Sequence, residues 1–295
     1  MFGLLLLDKP AGISSNRALQ NAKRLFNAAK AGHTGSLDPL ATGMLPIFFG
    51  AATRLASHVL EARKTYRVTA TLGIATTTGD AEGAPTEDRS GETPPDAARL
   101  AAAARDFIGE LEQVPPMYSA LKRDGVPLYR LARSGVEVER AARRIVIEEL
   151  VIDRYDFPAL DFHVTCSKGT YVRTLVEDLA KAVGTVGHVA ALRRLAVEPF
   201  AEQGMQTFEA LEAAATLGQE TLDRLLLPAD AALPAWPSAK LEPAAVARLA
   251  RGQAVAAEAA WPQGAVKVYS HSGQFIAIGA VTAERRLEPT RVFIR

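Results

Sequence analysis

Between Ala31 and Arg54 the chain reads AGHTGSLDPLATGMLPIFFGAATR, and this stretch constrains the fold more than any other. Gly32 and Gly35 permit backbone angles that residues with a Cβ resist, and Pro39 pushes the preceding Asp38 out of the helical region. Asp38 is therefore expected on a stiff, non-helical turn, its side chain confined to a few directions. No other acid lies between Lys9 and Glu61, whereas Arg17, Lys23, Arg24, Lys30, His33 and Arg54 all do. Nearby positive charge favours the charged form of a carboxylate, so Asp38 is expected to be ionised. An isolated Asp-Pro is ordinary turn chemistry. The density of turn-forming residues around this one is not.

The remaining chain alternates short strands and helices. Residues 3–7 read as a buried strand, and Ser14 or Ser15 caps a helix reaching about Phe26. A second helix is expected over Ala52 to Ala62. KTYRVTATLGI alternates, placing Tyr66, Val68, Ala70 and Leu72 on one face of a strand. Thr76 to Pro95 is rich in Thr, Gly, Asp, Glu and Pro and reads as an exposed loop or hairpin. A helix over about Pro95 to Ile108 follows, then PPMYSALKRDGVPLYRLARSG, in which Tyr118, Lys122, Arg123, Tyr129, Arg130 and Arg133 interleave aromatic and basic groups able to stack on bases and neutralise phosphates. Strands are expected at 144–153, at LDFHVTCS with Leu160, Phe162, Val164 and Cys166 inward, and around Val189 to Val197. A helix opens at Thr170 with Val172, Leu175, Val176, Leu179 and Val183 on its buried stripe. After helical fragments from Phe208 to Leu227, the prolines at 228, 234 and 237 mark a boundary. Beyond it a helix (Pro243 to Arg251) and strands at 265–270, 274–281 and 291–294 suggest a small β-barrel.

Several classes are excluded. The four-leucine run at the start is followed at once by Asp8 and Lys9, too short for a signal segment or a membrane span, so a cytoplasmic protein is expected. One cysteine, Cys166, allows no intramolecular disulfide, and the five histidines are scattered without metal-ligand spacing. No metal is therefore expected. Charge is segregated: Ala11 to Arg67 carries eight Lys/Arg against two Asp/Glu, while Thr78 to Glu112 carries three against nine. Such separation suits one positive face for a polyanion on an otherwise acidic body.

HTGSLDPLATGMLPI, KTYRV, PPMYSALK, CSKGTYVRTLVEDL and GHVAALRRLAV, in this order and spacing, resemble the bacterial tRNA pseudouridine-55 synthase (TruB) family from about Leu4 to Pro199. The tail resembles, by position more than by motif, the PUA RNA-binding domain that ends such proteins. The resemblance implies an α+β catalytic domain with a mixed, mostly antiparallel sheet flanked by helices (residues 1–232) and a small PUA-like β-barrel (residues 238–295). It implies that Asp38 is the nucleophile, that Tyr66 stacks on the target uracil and is placed to take part in proton removal at C5, and that Arg173 pairs with the aspartate. Leu192 would line the base pocket, His33 would help displace the target base, and Asp80 and Tyr171 would complete the substrate site. Ser36 stands where the family is expected to carry another small residue, Ala or Thr.

The implied chemistry is self-consistent. Turning uridine into pseudouridine breaks C1′–N1 and makes C1′–C5 on the same base, with no redox change and no outside atom, so no cofactor is expected. It needs a nucleophile that attacks carbon and later leaves, a task an ionised carboxylate can perform. Attack at C6, or departure of the base first through an oxocarbenium-like state or a glycal, both fit. The implied partner is the T stem-loop of tRNA, with a monomeric enzyme and no obligate protein partner. Two alternatives stand beside this reading: a non-catalytic tRNA-binding or tRNA-folding protein whose pocket only captures a flipped base, and a guided RNA pseudouridine synthase of dyskerin type.

Overall fold

A computed structural model describes residues 1–200 and 204–294. In chain order the first half contains β1 (Gly3–Lys9), α1 (Ser15–Leu25), β2 (Ala31–His33), β3 (Thr42–Phe49), a 3-10 turn (Gly50–Leu55), α2 (Ala56–Leu60), β4 (Lys64–Leu72), β5 (Ile74–Thr76), β6 (Pro85–Asp88), α3 (Ala97–Asp106) and β7 (Gly109–Gln113). Then come β8 (Lys122–Arg123), β9 (Val126–Pro127), α4 (Leu128–Arg133), β10 (Arg143–Asp156), β11 (Ala159–Cys166), α5 (Val172–Ala182), β12 (Gly187–Val197), α6 (Phe208–Thr216) and α7 (Gln219–Asp223). The tail holds β13 (Ser238–Leu241), α8 (Pro243–Ala250), β14 (Val255–Ala256), β15 (Gly264–Ser270), β16 (Phe275–Val281) and β17 (Arg286–Val292).

The large sheet runs β1-β3-β12-β4-β11-β10-β7, with β2 paired to β3. Every pairing is antiparallel except β3 with β12, so the sheet is mixed and mostly antiparallel, as expected. That parallel contact spans only Arg193↔Thr42 and Arg194↔Gly43. A Cβ on Gly43 would lie 2.2 Å from the Arg194 carbonyl oxygen, so only glycine lets the two strands meet here.

Period-two alternation sorts the strands' faces as the sequence predicts. On β4, Lys64, Tyr66, Val68, Ala70 and Leu72 are buried and Arg67 is exposed. Tyr66, Val68, Ala70 and Leu72 pack with Leu160, Phe162, Val164 and Cys166 of β11 under α3 and α5; the α5 stripe is Val172, Leu175, Val176 and Leu179. At the other end of the sheet, Leu5, Leu7, Leu45 and Ile47 pack on α1 and on Leu211 and Leu222 of α6 and α7. Ser14 caps α1 by accepting the Arg17 N–H.

The structure corrects some boundaries. The expected helix over Ala52 to Ala62 is a 3-10 turn followed by the short α2, and the last strand is Arg286–Val292 rather than 291–294. Gly32 is extended, in β2; Gly35, with φ +76, is the glycine that needs its freedom. The proline-rich boundary is not a loose linker: Ala229, Ala232 and Leu233 are buried with Leu55, Val59 and Ile278. The five tail strands form one sheet, β13-β15-β16-β17-β14, curled into a half-barrel. Phe275 and Phe293 of the tail stack with Phe2, and Arg54 donates to the Val292 carbonyl at 3.0 Å.

Candidate active site

The loop carrying Asp38 is held by buried polar side chains, each spending its hydrogen bonds on backbone. Ser15 Oγ accepts the Leu37 N–H at 2.7 Å and donates to the Leu37 carbonyl at 3.0 Å. Lys9, fully buried at the end of β1, donates to the carbonyls of Pro10, Ile13 and Pro39. Arg194, also buried, donates to Met44 at 2.7 Å and Gly35 at 3.1 Å. Both neighbours of Asp38 in the chain are thereby fixed.

Arg173 is the second fixed point. It stands in the first turn of α5, where the helix dipole disfavours a cation, and its side chain is only 5 % exposed. Its fork explains the placement: Nε meets Asp38 Oδ2 at 3.0 Å, Nη1 donates to the Thr78 carbonyl at 2.8 Å, and Nη2 donates to the Tyr118 carbonyl at 2.7 Å. The surface pair with Glu177 that helical spacing would suggest does not form. Asp80 backs the guanidinium, 3.7 Å from Nη1 and 5 % exposed. Thr78 Oγ1 and the Glu82 N–H hold the Asp80 carboxylate, and the turn docks on β12 through Val189.

These elements enclose a cavity of about 440 Å³, lined by Asp38, Tyr66, Tyr171, Arg173 and Leu192 together with Leu37, Leu60, Lys64, Leu121, Lys168 and Arg194. Five of the seven residues named from the sequence therefore share one pocket. Asp80 lies outside its lining, behind Arg173. His33 also lies outside it, on β2 opposite Ile47, with a buried Nδ1 that has no hydrogen-bond partner among the described residues. Tyr66 projects from β4 between Val164 and Arg194 of the neighbouring strands. Gln113 brackets Tyr171, donating to its carbonyl and accepting its N–H.

The electrostatics of the site are set by burial as well as by charge. The basic surroundings of Asp38 do not dominate: burial pushes its carboxyl above the ordinary value, Asp80 pushes the same way, and Arg173 and Lys9 pull it back. The side chain is still 41 % exposed, so a ligand in the pocket can reach it. Burial raises the Tyr66 hydroxyl, keeping it protonated, and lowers His33, keeping it neutral. Burial also brings Lys9 and Lys64 down to about 8. A half-exposed carboxylate gripped by a buried guanidinium, in a pocket that Tyr66 also lines, can attack an electrophilic carbon.

Lys9, Ser15, Lys64, Gln113 and Arg194 were missed from the sequence. Strand alternation contained the signal for two of them. Lys64 is two residues from Tyr66 and Arg194 two from Leu192, so each shares the face that points into the site.

The fold has likenesses among solved structures. The chain superposes on the protein in the structure of an H/ACA RNP bound to a substrate RNA containing 2′-deoxyuridine with a TM-score of 0.73 at 22% identity, covering 100% of this chain and 86% of that one. It superposes equally on a Cbf5-Nop10-Gar1 complex, TM-score 0.73 at 24% identity, covering 99% and 85%. This is the pseudouridine synthase fold. The family model described as TruB family pseudouridylate synthase, N-terminal domain, matches residues 23–172, and the C-terminal domain models of tRNA pseudouridylate synthase B and of pseudouridine synthase II TruB match 173–234 and 237–293. The chain is 49% identical over 291 residues to tRNA pseudouridine synthase B of Pseudomonas paraeruginosa, covering 98% of this chain and 95% of the relative. It is 47% identical over 298 residues to the protein of the same name from Burkholderia mallei, covering 99% and 97%. The chain belongs to the TruB family of pseudouridine synthases, which are isomerases.

Proposed function

We propose that the protein converts uridine 55, in the T loop of tRNA, to pseudouridine, with Asp38 as nucleophile and without a cofactor. The observation that carries the reading is the Asp38–Arg173 pair at 3.0 Å on the wall of a cavity that also holds Tyr66 and Leu192. Near-full-length relatives named tRNA pseudouridine synthase B support tRNA as the substrate. The target base leaves its stack at a cost of roughly a few kcal/mol and is received between the Tyr66 ring and the Leu192 side chain. His33, outside the pocket, assists that displacement. The Asp38 carboxylate attacks and later leaves; C1′–N1 breaks, C1′–C5 forms, the C5 proton departs and N1 gains one, so atoms and charge balance. Arg173 orients the carboxylate, Asp80 holds Arg173, and Tyr171 shapes the pocket edge.

The same reading makes residues 1–232 the catalytic domain and 238–295 a PUA-like RNA-binding domain of a monomeric, cytoplasmic enzyme. Among the described residues no helix is long and apolar enough to cross a membrane. The test is tritium release from tRNA labelled at C5 of uridine, with wild type and Asp38→Asn side by side. Release by wild type mapped to the T loop, and a loss of more than about 10³-fold in a variant that still binds tRNA, is the expected result. No release by a wild type that binds tRNA would make it a capture protein. Release mapped elsewhere would overturn the substrate alone.

A further inference from the structure

Four cations line the pocket: Lys64, Lys168, Arg173 and Arg194. Three are committed. Arg173 spends its fork on Asp38, Thr78 and Tyr118; Arg194 donates to Met44 and Gly35; Lys64 donates to the carbonyls of Leu60 and Ala62 at the end of α2. Lys168 differs. Its one partner among the described residues is the Glu61 carboxylate, and both side chains are open to water, 55 % and 60 % exposed. An exposed pair of this kind adds little to folding.

The placement of the pair is informative. Glu61 follows α2 and precedes β4, Lys168 lies in the β11–α5 turn, and β4 and β11 pair at Lys64↔Cys166, so the ion pair links the adjacent ends of two neighbouring strands at the pocket that both residues line. The turn that presents Lys168 is itself fixed. The Ser167 N–H donates to the Val146 carbonyl of β10, Ser167 Oγ accepts the Val146 N–H, and Thr170 Oγ1 donates to the Ser167 carbonyl at 3.0 Å. A lysine held only by one exposed carboxylate thus stands at a set point on the pocket that also holds Asp38. A nucleotide whose base enters such a pocket leaves its phosphates at the mouth.

We propose that Lys168 is a binding residue for a backbone phosphate next to the target uridine, and that Glu61 occupies it until RNA arrives. The phosphate displaces the carboxylate as the base goes in. This assignment rests on the RNA-modifying reading above.

The two residues then act with opposite signs, which a simple strut between the two strand ends would not. The experiment is equilibrium binding of unmodified tRNA to the full chain across a salt series, for wild type, Lys168→Gln and Glu61→Gln. Lys168→Gln is expected to raise the Kd several-fold and to reduce the slope of log K against log salt by roughly 0.7 to 1, the signature of one lost phosphate contact. Glu61→Gln is expected to lower the Kd, because the lysine no longer has to be released. Equal weakening by both variants with an unchanged slope would make the pair a strut and overturn the proposal, as would no change in either. Wild type that fails to bind tRNA would overturn the functional reading and this assignment with it. Binding indifferent to Lys168 overturns this assignment alone.

Discussion

The Asp38 loop and the C-terminal half-barrel are both assembled from short segments, yet different forces hold them. The loop is fixed by Ser15, Lys9 and Arg194, whose side chains are buried and fully engaged with backbone carbonyls and N–H groups. The half-barrel is fixed by alternating apolar residues, among them Val266, Val268, Ile276 and Leu287, packed on Leu249 of α8. Apolar packing is non-directional and tolerates exchange of similar volumes. A buried polar clamp sets a direction and fails when its partner is removed. The molecule therefore uses directional contacts where a carboxylate has to be aimed and non-directional ones where a surface only has to be presented.

Arg173→Lys breaks the directional side hardest. A lysine ammonium is a single point charge and cannot reach Asp38, Thr78 and Tyr118 together as the fork does. Turnover is expected to fall by about 10²-fold or more while tRNA affinity stays within a few-fold, read by tritium release and by a binding isotherm. Near-normal turnover would mean that charge alone, not aim, is what Arg173 supplies.

A pair of variants sharpens the contrast. Ser15→Ala leaves the buried Leu37 N–H and carbonyl unpaired, at a cost of roughly 1–3 kcal/mol. Leu287→Ala opens a cavity in the half-barrel, at a cost of about 2–5 kcal/mol. Denaturant melts should rank Leu287→Ala as the more damaging for stability. Turnover per folded molecule at saturating tRNA should rank them in reverse, with Ser15→Ala reduced several-fold and Leu287→Ala close to wild type. The same order in both measurements would erase the distinction between aimed and packed regions.

The two regions also differed in how far they could be read from sequence. Alternation on β4 and β11, the stripe on α5 and the turn at Asp38 were legible because each is a local pattern with one physical solution. Asp38, Tyr66, Arg173, Tyr171 and Leu192 were found by matching motifs, and the structure brings them to one cavity. The clamps were not legible. Ser15 looked like an alternative cap to Ser14, and its bond to Leu37 spans 22 residues. Lys9 looked like the polar end of an apolar run, although it is fully buried. The direction in which the Asp38 carboxyl is shifted was not legible for the same reason. Sequence counts the charges near a residue but not the water removed from it, and here desolvation outweighs the charges.

That balance makes the smallest effect the most diagnostic. In the proposed mechanism turnover requires ionised Asp38, and burial has raised its carboxyl, so the rate is expected to fall as pH drops through a value above that of an ordinary aspartate. A raised folded value also means that the native state binds the proton more tightly than the unfolded chain. The resulting stability is present at acid pH and lost as pH rises through the folded value, so the ionised site works against the fold at neutral pH. Asp80 pushes in the raising direction and shares Arg173 with Asp38. Asp80→Asn keeps an acceptor for Thr78 and Glu82 while removing one negative charge, and it leaves the guanidinium to Asp38 alone. The acid limb of the pH–rate profile is therefore expected to move to lower pH. A limb that stays in place would mean that Asp80 only braces Arg173. A limb that moves upward would mean that bracing Arg173 against Asp38 matters more to the nucleophile than the repulsion Asp80 imposes on it.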